Sequence, residues 1–282
     1  MALTELTRVT SKDLEAAQKT TGAARNSAPD FEELDAFTRQ LPEADGVPLE
    51  SPWHFASIAL SIDILTYLWR DRNDFFCGGN MFLYYSRRHV RNEDFKGPDF
   101  FYVTGVDRHR SREFWVVWEE DGKYPDLIIE FLSHSTAKTD RTTKKELYEK
   151  TFHTQEYYCY DPYTHKLEGW DLVKGQYQAL VPNERGWLWS NVLQLWLGEW
   201  VGEYQGRQET WLRFYDSKGQ LVPIKAEAEQ QKAVTEQQRA DAAKQFADAE
   251  QRRADAAEAE LAQLRALLAQ KGIVLETPEN PT

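Results

Sequence analysis

The chain has 282 residues, 41% of them hydrophobic and 13% aromatic, enough for a sizeable core and too much for a chain disordered throughout. With 46 Asp and Glu against 34 Lys and Arg the formal net charge is -12, which excludes general capture of a polyanion and confines nucleic-acid contact to local patches. Two cysteines, Cys77 and Cys159, exclude a disulfide framework. No run of 18 apolar residues is present and the first segment, MALTELTRVTSKDLEAAQKTTG, lacks an apolar stretch, so no membrane segment and a cytoplasmic location are expected.

Residues 1–45 are polar and poor in aromatics, the composition of a flexible N-terminal arm. A folded domain is expected over 46–223, entered through ADGVPLESPWH. Ser51 and Pro52 form an N-cap and first-turn proline, and Ile58, Ile62, Leu65 and Leu68 or Trp69 share a face of the helix that follows.

From Asp74 to Ala179 the apolar pattern shortens to strand length: MFLYYS, DFFYVTGV, EFWVVWEE, DLIIEFLS, EYYCYDP, LEGWDLV and QYQALVP. One helical piece, Asp140 to Thr151, interrupts them, with Asp140 as its expected N-cap. A helix, several strands, a helix and more strands indicate a mixed α/β or α+β domain. Trp187, Trp189, Trp196, Trp200 and Trp211 complete the domain as packing residues.

Residues 224–271 turn to Ala, Glu, Gln and Arg, and RADAA at Arg239 recurs at Arg253, an interval of two heptads. This predicts a long helix, either a weak coiled coil that joins copies into a homo-oligomer or a solvated helix held by charge pairs. Residues 272–282 form an expected disordered tail.

One residue needs a chemical reason. Glu130 interrupts the apolar run Leu127, Ile128, Ile129, Phe131 and Leu132. If KGPDFFYVTGV and YPDLIIEFLS pair antiparallel, Asp99 at the start of one faces Glu130 at the end of the other. Asp126, four residues before Glu130 and about 13 Å away along a strand, is too far to share a metal with it. Two close carboxylates in an apolar setting require a cation or a retained proton, and oxygen-only ligands suit Mg²⁺ or Mn²⁺. Lys144 then either orients a nucleophile there or pairs with Asp140 four residues earlier on the surface. The runs Arg108, Arg110, Arg112 and Arg87, Arg88, Arg91 are solvated faces or contacts to nucleic acid.

Taken in order, GPDFFYV, PDLIIEFLSHST, DRTTKKELYEK and EYYCYDP resemble the Uma-two family of restriction-endonuclease-like proteins, a branch of the PD-(D/E)XK nuclease superfamily, over about residues 46 to 215. The resemblance implies a restriction-endonuclease-like core, a four-stranded mixed sheet flanked by helices, with a metal site at one end. It places the first acid on Asp99 and the second on Glu130. The backbone carbonyl of Phe131 becomes a further metal ligand. Leu132 stands where the superfamily has lysine, and Lys144 on the next helix takes over that role. Glu50, His54 and Tyr148 are candidate accessory residues. His134 replaces a more usual proline, as a phosphate contact or a tolerated loop substitution.

The function expected is Mg²⁺-dependent hydrolysis of DNA phosphodiester bonds by an endonuclease, with Asp99, Glu130 and Lys144 catalytic. The alternative is an inactive nuclease-like fold that binds nucleic acid or protein and oligomerises through its C-terminal helix.

Overall fold

The computed structural model describes residues 51–86 and 97–272. The arm 1–45, Glu50, Arg87, Arg88, Arg91 and residues 273–282 lie outside the described residues.

Helix α1 (Pro52–Leu68) begins where the Ser51 hydroxyl accepts the N–H of His54, with Pro52 in its first turn. Its buried side carries Ala56, Leu60, Ile64 and Leu65 beside Ile58, a wider stripe than the expected one. Ser57 and Ser61 are also buried there, and their hydroxyls donate to carbonyls four residues back, so neither needs water. Arg108 Nη1 closes the end of the helix by donating to the Trp69 and Arg72 carbonyls.

The first eight strands are β1 (Phe75–Gly78), β2 (Leu83–Tyr84), β3 (Phe100–Thr104), β4 (Trp115–Val116), β5 (Leu127–Phe131), β6 (Glu156–Asp161), β7 (Lys166–Val173) and β8 (Gln176–Ala179). Six of them form one mixed sheet in the order β1-β3-β5-β6-β7-β8, parallel only between β5 and β6. The four-stranded core implied by the resemblance is thus extended by further strands. A second, three-stranded sheet consists of β9 (Leu188–Ser190), β10 (Leu195–Tyr204) and β11 (Arg207–Tyr215).

Side-chain alternation divides the core in two. Phe100, Tyr102, Leu127, Ile129, Phe131, Tyr158 and Tyr160 pack with α1 and the second sheet. Phe101, Val103, Ile128, Tyr157 and Cys159 pack on the other side with Tyr148 and Phe152. Every residue of β5 is buried because both faces of the sheet are covered. Glu130 alternates with Ile129 and Phe131, so it falls on the Tyr148 side.

Three local expectations change. The segment EFWVVWEE is a strand only at Trp115–Val116, paired in parallel with β2, before a 3₁₀ turn over Val117–Glu119. Tertiary contacts bend it: Arg112 grips Glu120 through two hydrogen bonds, and the Trp115 indole donates to the Lys123 carbonyl. The strand β1, FFCG, was not among the expected strands. The helical piece α2 spans Ala137–Thr139, a π-turn Asp140–Lys144, Lys145–Leu147 and a second π-turn Tyr148–Phe152. Asp140 is therefore inside α2 and not its N-cap. Ser133 and Thr136 close the entry to the helix, each hydroxyl accepting the other's backbone N–H.

After β11, helix α3 (Lys225–Gln270) runs for 46 residues without a buried one. Its root is fixed by Arg213, fully buried, which donates to Glu227 and to the Val222 carbonyl and lies over the Trp200 ring. Among the tryptophans, Trp211 is fully buried and stacks with Trp53, while Trp187 stacks on Tyr215.

Candidate active site

The antiparallel register Phe100 opposite Ile129 sets Asp99 beside Glu130, at the carboxyl end of β5. The two acids are laced across the strands: the Asp99 N–H donates to Glu130 Oε2 at 3.2 Å, and the Phe131 N–H donates to Asp99 Oδ2 at 2.7 Å. Within a strand the N–H and C=O of one residue point to the same edge, so the Phe131 carbonyl shares the Asp99 side.

Helix α2 supplies the remaining groups. Lys144 Nζ lies 3.1 Å from Glu130 Oε1 and 2.9 Å from Asp140 Oδ1. The Tyr148 hydroxyl donates to the same Glu130 oxygen at 2.8 Å, and the Tyr157 hydroxyl donates to the Asp140 carbonyl. π-Turns are rare and concentrate at functional sites, and here one ends at Lys144 and the next starts at Tyr148. From α1, His54 Nε2 reaches Asp99 Oδ1 at 2.9 Å.

Glu130 and Tyr148 are fully buried, whereas the side chains of Asp99 and Lys144 retain 16% and 18% exposure. The cluster therefore opens to solvent through Asp99 and Lys144. Burial pushes the Glu130 carboxyl up to about 8, against the ammonium of Lys144, with Asp99 and Asp140 adding to the rise. Burial opposes the Lys144 charge, but Glu130, Asp140 and Asp99 outweigh it and hold that pKa above the usual lysine value. Burial also drives the Tyr148 phenol well above its ordinary value, so it stays a donor. Lys144 lies between Glu130 and Asp140, and the raised Glu130 carboxyl retains its proton near neutral pH, a proton that a divalent cation at the site would displace.

No group of three or more His, Cys, Asp or Glu suited to a metal occurs among the described residues. Two carboxylates, Asp99 and Glu130, stand side by side there, and the Phe131 carbonyl faces the same strand edge. That set fits Mg²⁺, which binds through one or two carboxylates and keeps several waters.

The geometry thus brings together Asp99, Glu130, Phe131, Lys144, Tyr148 and His54. Leu132 is buried and apolar, with no lysine function available at that position. Asp126 lies apart, its carboxylate accepting the Thr104 N–H. Asp140 also joins the cluster, although its local sequence suits a helix cap or a surface partner. The usable signal was its spacing of four from Lys144. In the expected basic face Arg108 caps α1, and Arg110 and Arg112 both reach Glu120. Arg110 keeps 46% exposure, so that side of the face stays solvated.

A family model described as "Putative restriction endonuclease", Uma2, matches residues 28–198. Among solved structures, one described as "a putative nuclease belonging to DUF820" from Anabaena variabilis aligns with 57% of this chain and 89% of its own, at 15% identity and a TM-score of 0.38. No curated protein matches. With more than half of its length matched by the family model, the chain belongs to the Uma2 family of restriction-endonuclease-like proteins.

Proposed function

We propose that this protein is a divalent-metal-dependent endonuclease that hydrolyses DNA phosphodiester bonds. The observation that carries the reading is the convergence of Asp99, Glu130 and Lys144 at the carboxyl end of β5, with Lys144 held between two acids. Asp99, Glu130 and the Phe131 carbonyl would hold Mg²⁺ or Mn²⁺. When bound, that ion supplies Lewis-acid chemistry and lowers the pKa of water.

The protein's own groups do the rest. Lys144, at the open side of the cluster, orients the attacking water and balances charge developing on the phosphate. Asp140 and Glu130 fix its ammonium from two sides. Tyr148 orients Glu130, and His54 orients Asp99. Attack of water on phosphorus with departure of the 3′ oxygen leaves a 5′-phosphate.

A chain of net charge -12 binds DNA only through local charge, so activity should fall steeply with salt. No helix among the described residues is long and apolar enough to cross a membrane. Two free cysteines and a DNA substrate favour the cytoplasm.

The second reading, an inactive binding module that oligomerises through its C-terminal helix, is favoured by α3, whose described side chains are all unburied. Plasmid nicking with Mg²⁺ or Mn²⁺, comparing wild type with Glu130→Gln and Lys144→Ala, tests the first reading. Cleavage by the wild type alone supports it; no cleavage by any folded protein at any metal or salt level transfers support to the second.

A further inference from the structure

The loops that follow β5 and β6 bear two aromatic rings that the cluster itself does not use. His134 and Tyr163 stack with centroids 4.1 Å apart and planes 17° from parallel. Both are exposed, Tyr163 at 58%. An exposed tyrosine stacked on another exposed ring contributes little to the core, so core packing does not account for the pair.

Both rings sit on stiff turns. The Ser133 and Thr136 hydroxyls brace the loop of His134, and the Asp161 carboxylate accepts the N–H groups of Tyr163 and Thr164. Neighbouring carboxylates do not repel a polyanion freely, because Asp161 and Glu168 are both paired with Arg141. Lys138, on the first turn of α2 just beyond His134, is exposed.

The pair also stands in the right place. β5 and β6 are parallel neighbours with Phe131 opposite Tyr160, so their carboxyl ends, and the loops after them, lie on one rim of the sheet. Glu130 lies on that rim. His134 is four residues beyond it, within about 14 Å even if the chain were fully extended. Ligands of sheets with parallel strands collect outside such carboxyl ends.

We propose that the His134–Tyr163 pair is a stacking platform for an unpaired nucleobase, next to the nucleotide whose phosphate enters the acidic cluster. This rests on the nuclease reading and deepens it. Stacking on an aromatic face discriminates little among bases, yet it requires one that is not already sandwiched in a duplex. The preferred substrate would then be a single strand, a frayed end or a flap.

The test is binding of the full chain, in chelator so that no strand is cut, to a single-stranded DNA oligonucleotide containing 2-aminopurine and to the same sequence as a blunt duplex. Variants are Tyr163→Ala, His134→Ala and Tyr163→Phe, each checked for an unchanged melting temperature. The expected result is tighter binding of the single strand, with quenched 2-aminopurine fluorescence. Tyr163→Ala should weaken that binding by roughly 5- to 150-fold, the worth of one base on one ring, while Tyr163→Phe binds like wild type. A single-stranded RNA of the same sequence that behaves alike supports recognition of the base rather than the sugar. Equal binding by wild type and Tyr163→Ala, or preference for the duplex, overturns the platform. If the wild type meanwhile nicks plasmid and Glu130→Gln does not, the nuclease reading survives that loss. If it neither binds nor cuts, both readings fail.

Discussion

Lys144 and Glu130, fourteen positions apart in the chain and on different elements, meet at 3.1 Å in a pocket that excludes solvent from the acid. Asp140 contacts the same ammonium at 2.9 Å, so the lysine cannot leave without stranding two acids. Lys144→Met should therefore cost about 3–5 kcal/mol of stability, the range for removing one partner of a buried ion pair. Urea unfolding in chelator at pH 8 measures it. A loss below about 1 kcal/mol would mean that the acids do not depend on the lysine.

The Glu130 carboxyl, pushed up to about 8 by burial, makes stability depend on pH in a defined direction. Between the ordinary value of 4.5 and about 8 the folded protein binds a proton that the unfolded chain has released. Stability attributable to this group is thus full below about pH 4.5 and declines as pH rises towards 8. Asp126 and Glu156, also raised by burial, add slopes of the same sign, so the comparison must be with Glu130→Gln. The wild-type melting temperature should fall more than the variant's between pH 5 and pH 8. Mg²⁺ at pH 8 should restore the wild type only. Parallel curves with and without Mg²⁺ would remove Glu130 as the titrating group.

Tyr148→Phe deletes one hydroxyl and keeps the ring against Phe152 and Tyr157. Losing a buried hydrogen bond to a carboxylate should cost about 1.5–3 kcal/mol. Nicking by this variant should fall less than with Glu130→Gln, for which a loss of about 100- to 1,000-fold is expected, the scale for removing an electrostatic group from a reaction centre. Single-turnover rates separate the two; identical losses would assign the phenol a larger part than orientation.

Self-association through α3 predicts a change of mass on truncation. A chain ending at Lys232 keeps the pair between Arg213 and Glu227 and should fold as the full chain does. Light scattering on both forms decides: a full-length oligomer that becomes a monomer on truncation supports pairing along α3, and two monomers dismiss it.

Much of the frame was legible because it is local. The cap of α1 at Ser51, the alternation along β3 and β5, and the oddness of Glu130 in an apolar strand are visible within a few residues. Their antiparallel pairing then follows from two segments that each start or end on an acid. What escaped depends on distant partners. Strand β1 is four residues long with glycine at its end, and it is defined only by pairing with β3. Asp140 looked like a cap because nothing local says that the helix starts at Ala137 or that its turns widen to set Lys144 and Tyr148 on one carboxylate. The arginines after Asp107 read as a basic face because charge pattern alone cannot tell solvent from an internal carbonyl or Glu120.

At about 1.5 Å per residue, the 46 residues of α3 reach roughly 69 Å from their root at Arg213 and Glu227. With its root held by Arg213 on Glu227, a helix that stayed straight would serve as a measuring rod. Anything recruited at Leu261, Leu264 or Leu267, the leucines near its far end, would be held at a set distance from the acid cluster instead of being brought into it. Two jobs, cutting and placement, would then be separated along a single chain by a length that insertion or deletion of heptads would tune.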